Sequence, residues 1–182
     1  QGVVVNEDEP AFGTTWIGEE VTTHKKLFNG ERFIGLGEKT GGLDIRGQGY
    51  TNWNLDYFAY PTNADPLYQT HPFYIGIHSN LVYGIFMDNS FKSHYSFGAS
   101  NDRFASFTAE DGEMNYYLIY NSSIAGILQS YSQLLGAAAL PPYWSLGLQQ
   151  CRYSYYPDSK VKRIAATYRE KQIPADAIVL DI

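Results

Sequence analysis

Cysteine occurs once in this chain, at Cys151, and histidine four times, at His24, His71, His78 and His94, with no spacing that would gather metal ligands. A lone thiol cannot close an intrachain disulfide, so stability has to come from packing, and Cys151 reads as a small buried residue. Clusters of cations are missing too. The 13 Lys and Arg stand against 19 Asp and Glu, and the formal net charge of −6 leaves no electrostatic footprint for a phosphate backbone. Nucleic acid is therefore not an expected partner, and a neutral or cationic one is easier to accept. No run reaches the roughly 18 consecutive apolar residues that a membrane-spanning helix requires, so no membrane partner is expected. The start, Gln1-Gly2-Val3-Val4-Val5-Asn6, shows neither a basic leader region nor an initiating Met, as expected of a chain whose leader or upstream residues have been removed.

Apolar and aromatic residues are plentiful, at 44% and 16% of 182 residues, enough to bury the core of one domain and part of another. The aromatic excess is carried by 16 Tyr and 10 Phe, alongside 17 Gly and 8 Pro, a mixture that favours short strands joined by tight turns. From residue 14 to about 120 the pattern is of that kind. Its clearest part is a hairpin, with strands over 72–78 and 81–87 around the polar turn Ser79-Asn80. Further strands are expected over 92–97, 103–108 and 114–120, and this even spacing predicts an antiparallel β-sandwich.

The pattern changes at Asn121. Ser122 or Ser123 can cap a helix whose apolar positions Ile124, Ile127, Leu128, Tyr131, Leu134 and Leu135 follow three-four spacing, and Gly136 supplies the stop. Beyond Pro141-Pro142 a strand is expected over 145–149, then a helix opened by Pro157-Asp158-Ser159 and ended by Pro174, then a buried parallel strand over 177–182. This is a β-α-β unit, whose two strands run parallel. The expected division is a sandwich over 1–120, a connecting helix over 121–139 and the start of a parallel α/β domain over 140–182. A parallel strand needs neighbours on both sides, so the exposed edge at 177–182 predicts self-association or a partner that supplies the remaining strands, and the chain reads as a fragment.

Residues 33–42 are rich in glycine and invite comparison with a phosphate-binding loop. They lack the Gly-Lys-Ser/Thr ending and any helix pattern behind them, and a glycine-rich turn between strands is the better reading. Residues 50–68 form a long aromatic and Asn/Asp-rich stretch without period. Flat rings beside carboxylates and amides suit a sugar, whose C–H face stacks and whose hydroxyls need directed hydrogen bonds. An Ω-loop whose Asp and Asn side chains cap its own turns explains the same composition. Asp181 ends the last strand, where a barrel enzyme holds its chemistry, and Tyr153 follows the strand before it; a plain capping role for Asp181 is the alternative.

These residues carry a resemblance. Gly35-Leu36-Gly37-Glu38-Lys39, Trp53-Asn54-Leu55-Asp56, Asp65-Pro66-Leu67-Tyr68, Gly84-Ile85-Phe86 with Asn89-Ser90, Pro141-Pro142-Tyr143-Trp144-Ser145 with Arg152-Tyr153, and Leu180-Asp181-Ile182 occur in an order that resembles glycoside hydrolase family 31, the α-glucosidase and α-xylosidase group. The resemblance implies a mainly β chain: an incomplete N-terminal β-sandwich followed by the first β-α-β unit of a truncated (β/α)8 TIM barrel. It implies Asp56 as the sandwich-loop acid that reaches the sugar, with Asp65 as rival, Tyr153 and Asp181 as substrate-binding residues on the barrel rim, and Ile182 as an apolar wall beside them. No metal or organic cofactor is implied. The expected partners are an oligosaccharide or α-glycoside and the remainder of the catalytic barrel. The activity implied is retaining hydrolysis of a terminal α-linked sugar by two aspartates on later barrel strands, so no catalytic residue is expected in this chain. A non-catalytic carbohydrate-binding sandwich and a structural subunit are the competing readings.

Overall fold

The computed structural model describes residues 2–181, and they form two compact units, Gln1–Gly136 and Ala137–Ile182. Among the described residues of the first unit, nine antiparallel strands make two sheets. Strands β1 (Thr14–Ile17), β2 (Glu20–Lys26), β4 (Gly49–Asn52), β7 (Ser93–Ser96) and β8 (Phe104–Ala109) form a sheet of order β1-β2-β8-β7-β4. Strands β3 (Arg32–Gly37), β5 (Thr70–His78), β6 (Leu81–Met87) and β9 (Tyr116–Asn121) form the other, of order β3-β5-β6-β9. Alternation decides which face each strand buries. Val21, Thr23 and Lys25 of β2 and Ala105, Phe107 and Ala109 of β8 are buried while their neighbours are not, so one face of that sheet meets the core and the other meets solvent.

Strands β5 and β6 break the alternation, because Phe73, Tyr74 and Ile75 are consecutive and buried, as are Tyr83 through Met87. Both faces of this hairpin are covered. One face contributes Tyr74, Tyr83, Ile85 and Met87 to the sandwich core with Phe33, Phe97 and Phe107. The other contributes Phe73, Ile75 and Phe86 to a second cluster closed by Ile127 of helix α1 (Ile124–Leu135). Ser123 caps α1 by accepting from the Gly126 backbone N–H, and the Tyr131 ring stacks on Phe73 with centroids 4.0 Å apart. Gly84 permits the helix to seat, since a Cβ there would stand 2.9 Å from both Ile127 Cγ2 and Phe73. The hairpin turn is the expected Ser79-Asn80, both residues at positive φ as a two-residue turn of this twist demands.

Three details differ from expectation. Residues 33–37 are a strand with a register shift between Gly35 and Gly37, not a turn: Gly35 lies against the Phe73 carbonyl and the Tyr74 Cα, so closely that a Cβ would clash with both. The strand expected over 145–149 lies later. Pro142 opens a 3₁₀ turn over Tyr143–Leu146, held by the Ser145 N–H and hydroxyl on the Pro142 carbonyl, and strand β10 covers Gln149–Arg152. Third, Cys151 is exposed, and so are Val179 and Leu180 of β11 (Ala177–Leu180), instead of buried. β10 and β11 pair in parallel around helix α2 (Asp158–Glu170), and Tyr168 of α2 donates to Gln150 Oε1 at 2.6 Å. A two-stranded sheet under one helix has a single covered face. Gln150 and Ile178 take it, their neighbours Cys151 and Val179, paired across the strands, take the open one, and Leu180, on the Ile178 side, is exposed at the strand's end.

Candidate functional site

The stretch 53–69 joins β4 to β5 and is built in two parts, a fixed base and an exposed tip. Ala64 and Leu67 are buried, and the Leu55 N–H donates to the Leu67 carbonyl at 3.2 Å, closing the loop on itself. Asn54 Oδ1 accepts from the Thr70 N–H and hydroxyl at 2.9 and 3.0 Å, and Tyr68 donates its hydroxyl to the Tyr57 carbonyl at 2.7 Å. The tip carries Asp56, Tyr57, Phe58 and Tyr60, all exposed, Phe58 at 91%. Loop self-capping and an exposed aromatic tip beside a carboxylate therefore coexist in one loop.

Asp65 and Asp56 separate clearly. The Asp65 carboxylate accepts from Lys39 Nζ at 2.9 Å through Oδ1 and from the Thr51 N–H through Oδ2, so both oxygens hold the base. Lys39, its side chain 5% exposed, also donates to the Thr51 carbonyl at 2.6 Å and lies over the Tyr50 ring. Burial pushes the Lys39 ammonium down from its ordinary range and Asp65 opposes that shift. Burial, with the charge of Asp65, raises the Tyr50 phenol. Asp56 is the loop acid left facing solvent, available to orient a ligand's hydroxyls. Lys39 is the loop anchor that sequence reasoning did not single out. It lies in the loop after β3, and its partner is 26 residues later, so no local pattern joins the two.

In the second unit the register of β10 on β11 pairs Arg152 with Leu180. The next residues, Tyr153 and Asp181, therefore leave the two parallel strands side by side at their carboxyl ends. Both are exposed, Tyr153 at 73%. Asp56 belongs to the first unit and Tyr153 and Asp181 to the second. Ile182 lies outside the described residues. No group of His, Cys, Asp and Glu that could hold a metal occurs among the described residues, and no helix is long and apolar enough to cross a membrane.

Residues 2–95 match the glycosyl hydrolase 31 N-terminal galactose mutarotase-like domain, and residues 138–182 match the glycosyl hydrolases family 31 TIM-barrel domain. The chain is 41% identical over 182 residues to alpha-glucosidase 2 of Bacillus thermoamyloliquefaciens, a match that covers 99% of this chain and 23% of that protein. It is 33% identical over 153 residues to the alpha-xylosidase XylQ of Lactiplantibacillus pentosus, covering 83% of this chain and 19% of that protein. Among solved structures, a GH31 dextranase of Flavobacterium johnsoniae complexed with isomaltotriose superposes with a TM-score of 0.90 at 39% identity, covering 96% of this chain and 21% of that one. The chain thus spans about a fifth to a quarter of the length of these relatives. A sandwich with a two-sided central hairpin, a parallel pair opening a barrel, and two family domains matched in that order lead to one conclusion: the chain belongs to glycoside hydrolase family 31.

Proposed function

We propose that this chain forms the sandwich and the barrel opening of a retaining α-glycosidase that removes terminal α-linked glucose, and that Asp56, Tyr153 and Asp181 bind the sugar. One observation carries the reading: the parallel register of β10 and β11 delivers Tyr153 and Asp181 together to the strands' carboxyl ends, the edge at which barrel enzymes hold substrate. A carboxylate accepts two sugar hydroxyls at once and the phenol ring offers a flat face, so the pair suits a pyranose. The α-glucosidase relative at 41% identity favours glucose, and the more distant α-xylosidase makes a xyloside the rival substrate.

Retaining hydrolysis uses a carboxylate nucleophile and a carboxylic acid about 5 Å apart. Neither role is assigned to a residue of this chain. Asp56 and Asp181 instead orient the sugar and strengthen their hydrogen bonds as charge develops in the transition state, with Ile182 as an apolar wall. The isolated 182-residue chain is therefore expected to show no turnover of an aryl α-glucoside. Substituting it for the matching segment of the Bacillus α-glucosidase should yield an enzyme that prefers p-nitrophenyl α-glucoside to the α-xyloside. Asp56→Ala or Asp181→Ala in that hybrid should lower kcat/KM by about 10–100-fold, the loss of a hydrogen bond to a charged group. Turnover by the isolated chain, or undiminished activity in both variants, would overturn the assignment.

A further inference from the structure

The geometry points to a second sugar site, a groove on the sandwich where the end of β4 meets β5 and the turn after β6. Its volume is about 430 Å³, inside the range of about 300–1,000 Å³ in which small-molecule sites fall. Trp53 and Phe91 line it, each 49% exposed, and Pro72 and Phe86 supply an apolar wall. Two aromatic side chains left half open at one groove are the usual platform for the C–H face of a pyranose. The polar lining consists of Asn, Ser, Thr and Asp, with no Lys, Arg or His, so an anionic ligand would find no counter-charge. Asp88 and Ser90 stand exposed at the groove. Asn52, 95% buried by its 5% exposure, spends its Nδ2 on the His71 carbonyl at 2.9 Å and leaves Oδ1 without a hydrogen-bond partner. The ligand class that suits two half-open rings and a polar lining without cations is a neutral polyol with an apolar face, a glucose unit of an oligosaccharide. Neither Asp56 nor Asp65 lines this groove. The inference rests on the carbohydrate reading above and adds a site to it.

The test is titration of the 182-residue chain with glucose and with isomaltose, followed by backbone amide shifts and tryptophan fluorescence. Binding in the millimolar range is expected, with shifts confined to 52–54, 70–72 and 86–93. Trp53→Ala removes an exposed ring and should weaken binding about tenfold without unfolding the chain. Asp88→Asn, which keeps the shape of the side chain, provides the second variant. Absence of groove shifts at about 100 times the expected Kd, shifts that map to other residues, or wild-type affinity in both variants would each overturn the site. The two proposals fail separately: hydrolysis by the hybrid enzyme with a silent groove removes only this site, and groove binding with an inactive hybrid removes only the α-glycosidase assignment.

Discussion

Glu31 shows at the residue scale what burial does to a titratable group. It is 1% exposed, accepts from the Tyr83 hydroxyl at 2.7 Å and from the Phe28 N–H at 2.9 Å, and its carboxyl is nevertheless raised above 4.5, because loss of hydration outweighs these hydrogen bonds and the nearby His78 and Arg46. The folded chain then holds a proton that the unfolded chain has released, so stability falls as pH rises through the window above 4.5. Glu31→Gln keeps an acceptor for Tyr83 and removes the proton. Urea midpoints measured from about pH 4.5 to pH 7 should decline less steeply for the variant than for the parent chain. An equal slope in both would show that the Glu31 proton is not the source.

At the scale of the element, the β4–β5 loop carries Asp56 at its exposed tip while its base is clamped by Lys39 and Asp65. Breaking a nearly buried ion pair leaves the surviving charge unpaired. Lys39→Met should therefore cost about 2–3 kcal/mol in urea unfolding, less than for a fully buried pair because Asp65 retains 20% exposure. Hydrogen exchange should rise across 54–67 and leave the β5–β6 hairpin protected. Asp65→Asn, which keeps one acceptor, should lie between Lys39→Met and the parent chain. Uniform loss of protection throughout the sandwich would indicate a general packing defect instead of a loop clamp.

At the scale of the whole molecule, burial is distributed unevenly. Among the described residues, every buried apolar side chain except Tyr155 lies in the first unit. Helix α1 belongs to that unit, closing the second cluster over β5 and β6, so truncation after Gly136 keeps both cores. Residues 1–136 alone should unfold cooperatively with a midpoint close to that of the full 182-residue chain, as followed by near-ultraviolet circular dichroism and urea. Residues 137–182 alone should lack a cooperative transition, because a two-stranded sheet under one helix buries too little apolar surface to offset chain entropy. A non-cooperative 1–136 would show that the second unit is needed to complete the first.

Local signals determined much of this protein. The Ser79-Asn80 hairpin, the Ser123 cap and Gly136 stop of α1, and the parallel pairing over 177–180 were legible because each depends on residues within a few positions of one another or on an apolar period. The resemblance to family 31 was legible for a different reason, since it lies in an ordered set of short segments and needs no geometry. Tertiary structure decided the rest. Only pairing against β5 turned 33–37 from a turn into a bulged strand, and only contact across 26 residues joined Lys39 to Asp65 and thereby distinguished the anchoring acid from the exposed Asp56. The exposure of Cys151 and Val179 followed from which face α2 covers, a choice no window of sequence contains. Periodicity reports that a strand has two faces, and packing alone decides how many of them are hidden.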